Sequence, residues 1–184
     1  MSKRTDDGRQ PGDLTRDQKV ARMIRVDHAG EYGAVRIYAG QMAVLGKTKT
    51  GPVIRAMAEQ ERDHLATFEQ LMNERRVRPT ALTPLWHVAG FALGAASALA
   101  GPKTAMACTV AVEEVIDEHY QRQSETLGDD EADLRKTIDD YRADEIEHRD
   151  TGLAHGAEDA PAYPAVVGAI KAGTRLAIWL SERV

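Results

Sequence analysis

The sequence predicts an all-α protein: a four-helix bundle with one or two additional apolar or amphipathic helices. Three observations carry that prediction. The pattern Glu-x-x-His occurs twice, at Glu61–His64 and at Glu145–His148, and residues three apart share one face of a helix. Each pair follows a stretch with a lone glutamate, Glu31 in DHAGEYGAVRIYAGQ and Glu113 in AVEEVIDEHYQRQ. The composition, 42% hydrophobic but only 5% aromatic with few β-branched runs, favours helix over sheet.

The two halves form an internal repeat. In each, a Tyr follows the lone Glu by seven residues and a Gln by ten: Tyr38 and Gln41 after Glu31, Tyr120 and Gln123 after Glu113. Glu31 precedes Glu61 by 30 residues and Glu113 precedes Glu145 by 32. Each half therefore reads as helix, turn, helix, and a repeat of this kind locates the site. Glu113 is preferred over its neighbour Glu114 because only Glu113 keeps the Tyr and Gln offsets. Facing one another, the hairpins would bring together Glu31, Glu61, His64, Glu113, Glu145 and His148. A Glu from each of two helices plus Glu-x-x-His from each of two others is the ligand set of a carboxylate-bridged di-iron or di-manganese bundle. Carboxylates and imidazoles without thiolate suit these metals. Glu61 and Glu145 would bridge the ions, Glu31 and Glu113 would be terminal, and His64 and His148 would take one ion each. An isolated Glu-x-x-His is more often a solvated pair; two, each within the same repeat, are not expected by accident.

At 184 residues the chain reads as one domain over residues 15–184 behind a disordered tail at 1–14. A net charge of -5 argues against nucleic acid as the main partner. The single cysteine, Cys108, rules out an internal disulfide and a thiolate-held cluster. The N-terminal stretch has no apolar core segment and carries acidic residues, unlike a secretory or mitochondrial leader.

Asp13 or Thr15 is expected to cap a first helix, Thr15 with Gln18 having capping-box spacing, and that helix ends near Leu45, before Gly46. Its Gly30, Gly33 and Gly40 point to close helix packing or a kink beside Glu31. Gly51-Pro52 opens a second helix, to about Arg76, whose stripe Val53, Met57, Glu61, His64, Leu65, Phe68 sets charged groups on an apolar face. That placement is costly unless the groups are paired or bound to metal. From Pro79 to Pro102 there is no Asp, Glu, Lys or Arg. The stretch is long enough to span a bilayer, but Pro84, His87, Gly90, Gly94, Ser97 and Gly101 make it only mildly hydrophobic. It reads instead as a bundle helix or a helix on a membrane surface, with Gly90 and Gly94 permitting close helix contact. A helix from about Lys103 to Leu127 carries Glu113. Asp129 or Asp130 is expected to cap the next, which runs to about His155. After a Pro-rich connector, a last amphipathic helix turns Val166, Ile170, Ala177 and Trp179 or Leu180 inward, with Lys171, Arg175 and Arg183 adding positive charge.

His28, His87, His119 and His155 lack the support of the repeat and read as surface or hydrogen-bonded histidines. Asp27, Asp63, Asp144 and Glu147 are candidate partners of the ligand imidazoles, although exposed helix charges are the commoner role. Tyr38 and Tyr120 read equally well as site-facing or as ordinary core residues.

VDHAGEYGAVRIYAGQ, EQERDHL, ACTVAVEE, DEIEHRD, APAY and the closing IWLSERV together resemble the demethoxyubiquinone hydroxylase family of ubiquinone biosynthesis, from about Met23 to Val184. The resemblance implies a ferritin-like bundle, a di-iron centre on Glu31, Glu61, His64, Glu113, Glu145 and His148, and O2-dependent hydroxylation of the demethoxyubiquinol ring. It implies a polyprenyl quinol substrate and an external reductant, with NADH one candidate. It also implies peripheral docking on the cytoplasmic side of a bacterial inner membrane through a surface around Leu82 to Ala100. Other ubiquinone-biosynthesis proteins and a small homo-oligomer are the partners to expect. Ferroxidase, peroxidase, manganese catalase and iron-storage readings share the six ligands; the long uncharged segment favours an apolar substrate over them.

Overall fold

The fold is that of a computed structural model describing residues 13–184. All but the last two positions of the tail expected at 1–14 lie outside the described residues. Among those described there are six α-helices and no strand: α1 Arg16–Leu45, α2 Gly51–Arg75, α3 Thr83–Leu99, α4 Pro102–Thr126, α5 Ala132–Ala154 and α6 Tyr163–Ser181. The chain is thus the all-α bundle that the repeat predicts. α1 with α2 and α4 with α5 form the two hairpins, while α3 packs chiefly on α1 and α6 on α4.

Local chemistry starts and stops these helices largely as expected. The Thr15 hydroxyl accepts from the Gln18 N–H and the Gln18 side chain accepts from the Thr15 N–H, completing the capping box. Pro52, Pro84, Pro102 and Pro164 sit in the first turns of α2, α3, α4 and α6, where the missing N–H costs nothing. Neither Asp129 nor Asp130 caps α5. Asp129–Glu131 form a short 3-10 turn, and α5 begins after it without a side-chain cap. The Asp130 carboxylate is taken instead by Arg16 at the start of α1, at 2.6 Å.

The core fills from the faces that the periodicity marks. Ile54, Met57, Phe68 and Met72 of α2 are buried, with Ile54 rather than Val53 opening the stripe. On α4 nearly every residue from Thr104 to Glu113 is buried, because α1, α3, α5 and α6 surround it. Cys108 lies in this run, fully buried, and burial pushes its thiol up to about 12.

α3 lies very close to α1. A Cβ on Gly94 would stand 1.9 Å from the Ile37 carbonyl oxygen, and one on Gly40 would stand 2.2 Å from that of Phe91. Only glycine permits this approach of two backbones. Of the α1 glycines, Gly40 therefore fulfils the close-packing expectation; a Cβ on Gly33 would meet nothing within 4 Å, although the Gly33 carbonyl oxygen would lie 3.0 Å from a Cβ on Gly90. No helix among the described residues is long and apolar enough to cross a membrane.

On α6 the inward face is Val167, Ile170, Thr174, Ala177, Ile178 and Ser181, shifted from the expected one. Trp179 is half exposed, with the Arg183 guanidinium 4.1 Å from its ring centroid. Lys171 pairs with Glu114 and Arg175 with Glu118, so the basic residues fasten α6 to α4.

Candidate metal centre

The four long helices each turn a carboxylate toward the bundle axis, and the two Glu-x-x-His helices add an imidazole apiece. Glu31, Glu61, His64, Glu113, Glu145 and His148 are all buried, none more than 2% exposed. They form two overlapping groups whose candidate ligand atoms lie within 4.8 Å of one another. One group is Glu31, Glu61, His64 and Glu145; the other is Glu61, Glu113, Glu145 and His148. Glu61 and Glu145 belong to both, the position a bridging carboxylate requires.

Each imidazole turns Nδ1 inward. His64 Nδ1 lies 3.6 Å from Glu31 and 3.4 Å from Glu145. His148 Nδ1 lies 3.0 Å from Glu61 and 3.6 Å from Glu145. Both Nδ1 atoms, both oxygens of Glu61 and of Glu145, and Glu113 Oε2 are buried without a hydrogen-bond partner. A convergent set of orphaned polar atoms is costly in a folded interior, and their lone pairs are what a pair of cations would satisfy. The residues therefore fit two divalent ions.

The outer atoms are held by cross-hairpin contacts. His64 Nε2 lies 3.0 Å from Asp144 Oδ2 and His148 Nε2 lies 3.0 Å from Gln60 Oε1. Acceptors at both places fix Nε2 as the protonated nitrogen and leave Nδ1 for a ligand role. Tyr38 Oη donates to Glu113 at 2.7 Å, and Tyr120 Oη donates to Glu31. Each tyrosine thus serves the glutamate of the other half-repeat.

Electrostatics without cations shows the strain of the arrangement. Burial, then the charge of Glu145, raises the carboxyls of Glu61 and Glu113 well above the usual range. Burial likewise raises Glu31, reinforced by Glu145. Burial pulls the His64 imidazole down, but the facing carboxylates of Glu145 and Glu31 outweigh it and push it up to about 12. Burial would raise Glu145, yet His148 and His64 on either side hold it down at about 2. Cations bound by these groups would compete with protons for the same atoms.

Of the suggested imidazole partners, Asp144 alone meets a ligand histidine. Asp63 and Glu147 are exposed, and Asp27 pairs with His119 at 3.3 Å while accepting from Gln123 at 2.7 Å. His87 bonds Tyr32 and His155 bonds the Thr151 carbonyl. His28 is buried with Nδ1 unpartnered, and burial lowers its imidazole. Sequence reasoning missed Gln60; its place directly before Glu61, matching Asp144 before Glu145, was the available signal.

Beside the centre an apolar groove of about 310 Å³ runs between α1, α3, α4 and α6. Gly30, Gly33, Ala34, Leu93, Val112, Ile116 and Ala177 are among its walls. Gly30 and Val112 are the chain neighbours of Glu31 and Glu113, so the groove lies against the backs of these two helices. At its rim α3 and α6 expose Leu85, Val88, Leu176 and Trp179, each at least half exposed.

The family model described as "Ubiquinone biosynthesis protein COQ7" matches residues 18–181. The chain belongs to this family. The "3-demethoxyubiquinol 3-hydroxylase" of Rhodospirillum rubrum is 58% identical over 183 residues, covering 99% of this chain and 86% of that protein. The human "NADPH-dependent 3-demethoxyubiquinone 3-hydroxylase, mitochondrial" is 59% identical over 169 residues, 90% of this chain and 78% of its own length. The Caenorhabditis elegans protein of the same name is 45% identical over 174 residues, 92% and 93% of the two chains. In this chain the six buried residues lie together inside the bundle, and the apolar groove includes Gly30 and Val112, the chain neighbours of Glu31 and Glu113.

Proposed function

We propose that the chain is a di-iron monooxygenase that hydroxylates the benzoquinol ring of a polyprenyl demethoxyubiquinol in ubiquinone biosynthesis. The observation that carries the metal part is the set of seven orphaned ligand atoms on buried Glu61, His64, Glu113, Glu145 and His148. The family carries the substrate class. The groove supports it, since an apolar slot suits a quinol ring with an isoprenoid tail better than Fe(II) or peroxide.

Glu31, Glu61, His64, Glu113, Glu145 and His148 would hold the two iron ions, with Glu61 and Glu145 shared. When bound, the ions supply O2 activation and the electrons for it. One oxygen atom enters a ring C–H bond to give the hydroxyl and the other leaves as water, with two electrons and one proton from an external reductant that delivers hydride and the second proton from solvent. We assign that role to a reduced nicotinamide nucleotide: the name of the human relative points to NADPH, and NADH, the candidate expected from the sequence, is the alternative. Groove walls such as Leu93, Val112 and Ile116 orient the ring and keep water away. Tyr38 and Tyr120 hold Glu113 and Glu31 in position. Asp144 and Gln60 keep the Nε2 protons of His64 and His148, leaving Nδ1 free for metal.

The exposed apolar rim of α3 and α6 would rest on a membrane surface, bringing the bilayer-resident tail to the groove. Leu93 faces the groove, so Leu85→Glu with Val88→Glu tests the rim without altering the slot. The double variant should lose binding to liposomes and keep its iron; retained binding would refute the docking surface. The activity test is a single turnover. The protein is loaded anaerobically with Fe(II), a short-tailed demethoxyquinol and then labelled O2 are added, and the ring product is analysed by mass spectrometry. A labelled hydroxyl, absent with Glu145→Ala, is expected. Iron oxidation without ring hydroxylation would favour a ferroxidase.

A further inference from the structure

The two halves of the site are mirrored by the repeat, and one departure from the mirror has chemical weight. Position 60 directly precedes Glu61 and position 144 directly precedes Glu145. Each reaches across to the outer nitrogen of the other half's histidine at 3.0 Å. Tyrosine and glutamate are mirrored in the same way. The equivalent residues 60 and 144, however, are a carboxamide and a carboxylate. A second difference reinforces the first. Tyr141 stacks on the His64 ring with centroids 3.9 Å apart, whereas the repeat-equivalent residue before Glu61 is Met57.

We infer that the two metal positions are inequivalent, with the position beside His64 the tighter because Asp144 accepts its Nε2 proton, and the position beside His148 the weaker because Gln60 does so there. This rests on the metal-centre reading above. A histidine whose outer N–H donates to a carboxylate is a more basic ligand than one that donates to a neutral amide. Loss of such a partner changes metal affinity about 10–100-fold. Asp144 and Gln60 are positioning residues: neither would touch metal or substrate, and each acts through the imidazole it holds.

Asp144→Asn keeps an acceptor of the same shape and removes only the charge. Gln60→Glu adds a charge at the mirrored place. Metal-free protein is titrated anaerobically with Fe(II) by calorimetry and with Co(II) by its visible absorption. Melting of the metal-free variants is measured alongside. Asp144→Asn, which keeps the acceptor, should weaken the tighter step by about 10-fold, the low end of that range, and leave the weaker step within about threefold. Gln60→Glu should strengthen the weaker step and leave the tighter one in place. The Co(II) spectra of the first and second equivalents, distinct in the wild type, should shift in the first for Asp144→Asn and in the second for Gln60→Glu. A packing role alone would instead lower both steps together with the metal-free melting temperature, and that result overturns the inference. So does binding of two ions with neither step moved by either variant. Wild-type protein that takes up no metal would overturn the metal centre itself.

Discussion

The close approach of α3 to α1 gives a sharp test of how the groove is built. In Gly94→Ala the new Cβ would fall 1.9 Å from the Ile37 carbonyl oxygen and 2.7 Å from the carbonyl carbon. Both are backbone atoms of the longest helix, so no side-chain rotation relieves the clash. Ordinary contact begins at 3.4 Å, so α3 must move outward by roughly 1.5 Å, taking core contacts with it. Overpacking of this kind costs about 1–3 kcal/mol. At about 2 kcal/mol the melting temperature of a chain this long falls by roughly 4–8 °C. Gly168→Ala is the control, since Gly168 lies in α6 with nothing within 4 Å of its added Cβ. There alanine's helix preference should raise stability by about 0.5–1 kcal/mol. Thermal melting of the metal-free proteins, followed by circular dichroism, measures both. Quinol turnover of Gly94→Ala should fall as well, because α3 carries the Gly90 and Leu93 walls of the groove. Melting of Gly94→Ala at or above the wild-type temperature would refute the argument.

Three further outcomes are expected. Tyr38→Phe strips Glu113 Oε1 of its donor at 2.7 Å and leaves a buried acceptor unmet, a loss of about 1–3 kcal/mol, checked by melting of the metal-free protein. Phe68→Ala empties a fully buried position between Tyr120 and Tyr141 and should cost about 3–5 kcal/mol, read by urea denaturation. Metal-free stability should decline as pH rises. Raised Glu31, Glu61 and Glu113 and raised His64 all bind protons more tightly folded than unfolded. Their contribution is therefore complete below the unfolded values, about 4.3 for Glu and 6.5 for His, and is lost on going up through the folded ones. Glu145, held at about 2, acts oppositely, but its contribution is lost only below about pH 4.3. Metal must displace those protons, so the melting increment given by Fe(II) or Co(II) should grow between about pH 5.5 and 8. An increment that shrinks over this range would contradict the assignment of these residues as ligands.

The six candidate ligands, the helices that carry them and the helix starts at Thr15 and Gly51-Pro52 were legible in the chain because each signal is local. A Glu-x-x-His spacing sets two side chains on one helix face whatever surrounds it, and the repeat of Glu, Tyr and Gln offsets distinguishes Glu113 from Glu114. Capping boxes and first-turn prolines act within four residues of themselves. What the tertiary structure decided depends on pairs far apart in sequence. Tyr38 meeting Glu113 spans 75 residues and His64 meeting Asp144 spans 80, so periodicity on one helix says nothing of them. Arg16 pairs with Asp130 across 114 residues, and Asp129–Glu131 form a 3-10 turn ahead of α5, so neither aspartate caps it. On α6 the sequence placed Ile170 and Ala177 inward correctly, but docking against α4 turns Val167 rather than Val166 into the core and leaves Trp179 half exposed. The long uncharged segment showed that α3 would be apolar. Its glycine contact with the α1 backbone is what settled which side packs and which side, with Leu85 and Val88, is left facing outward.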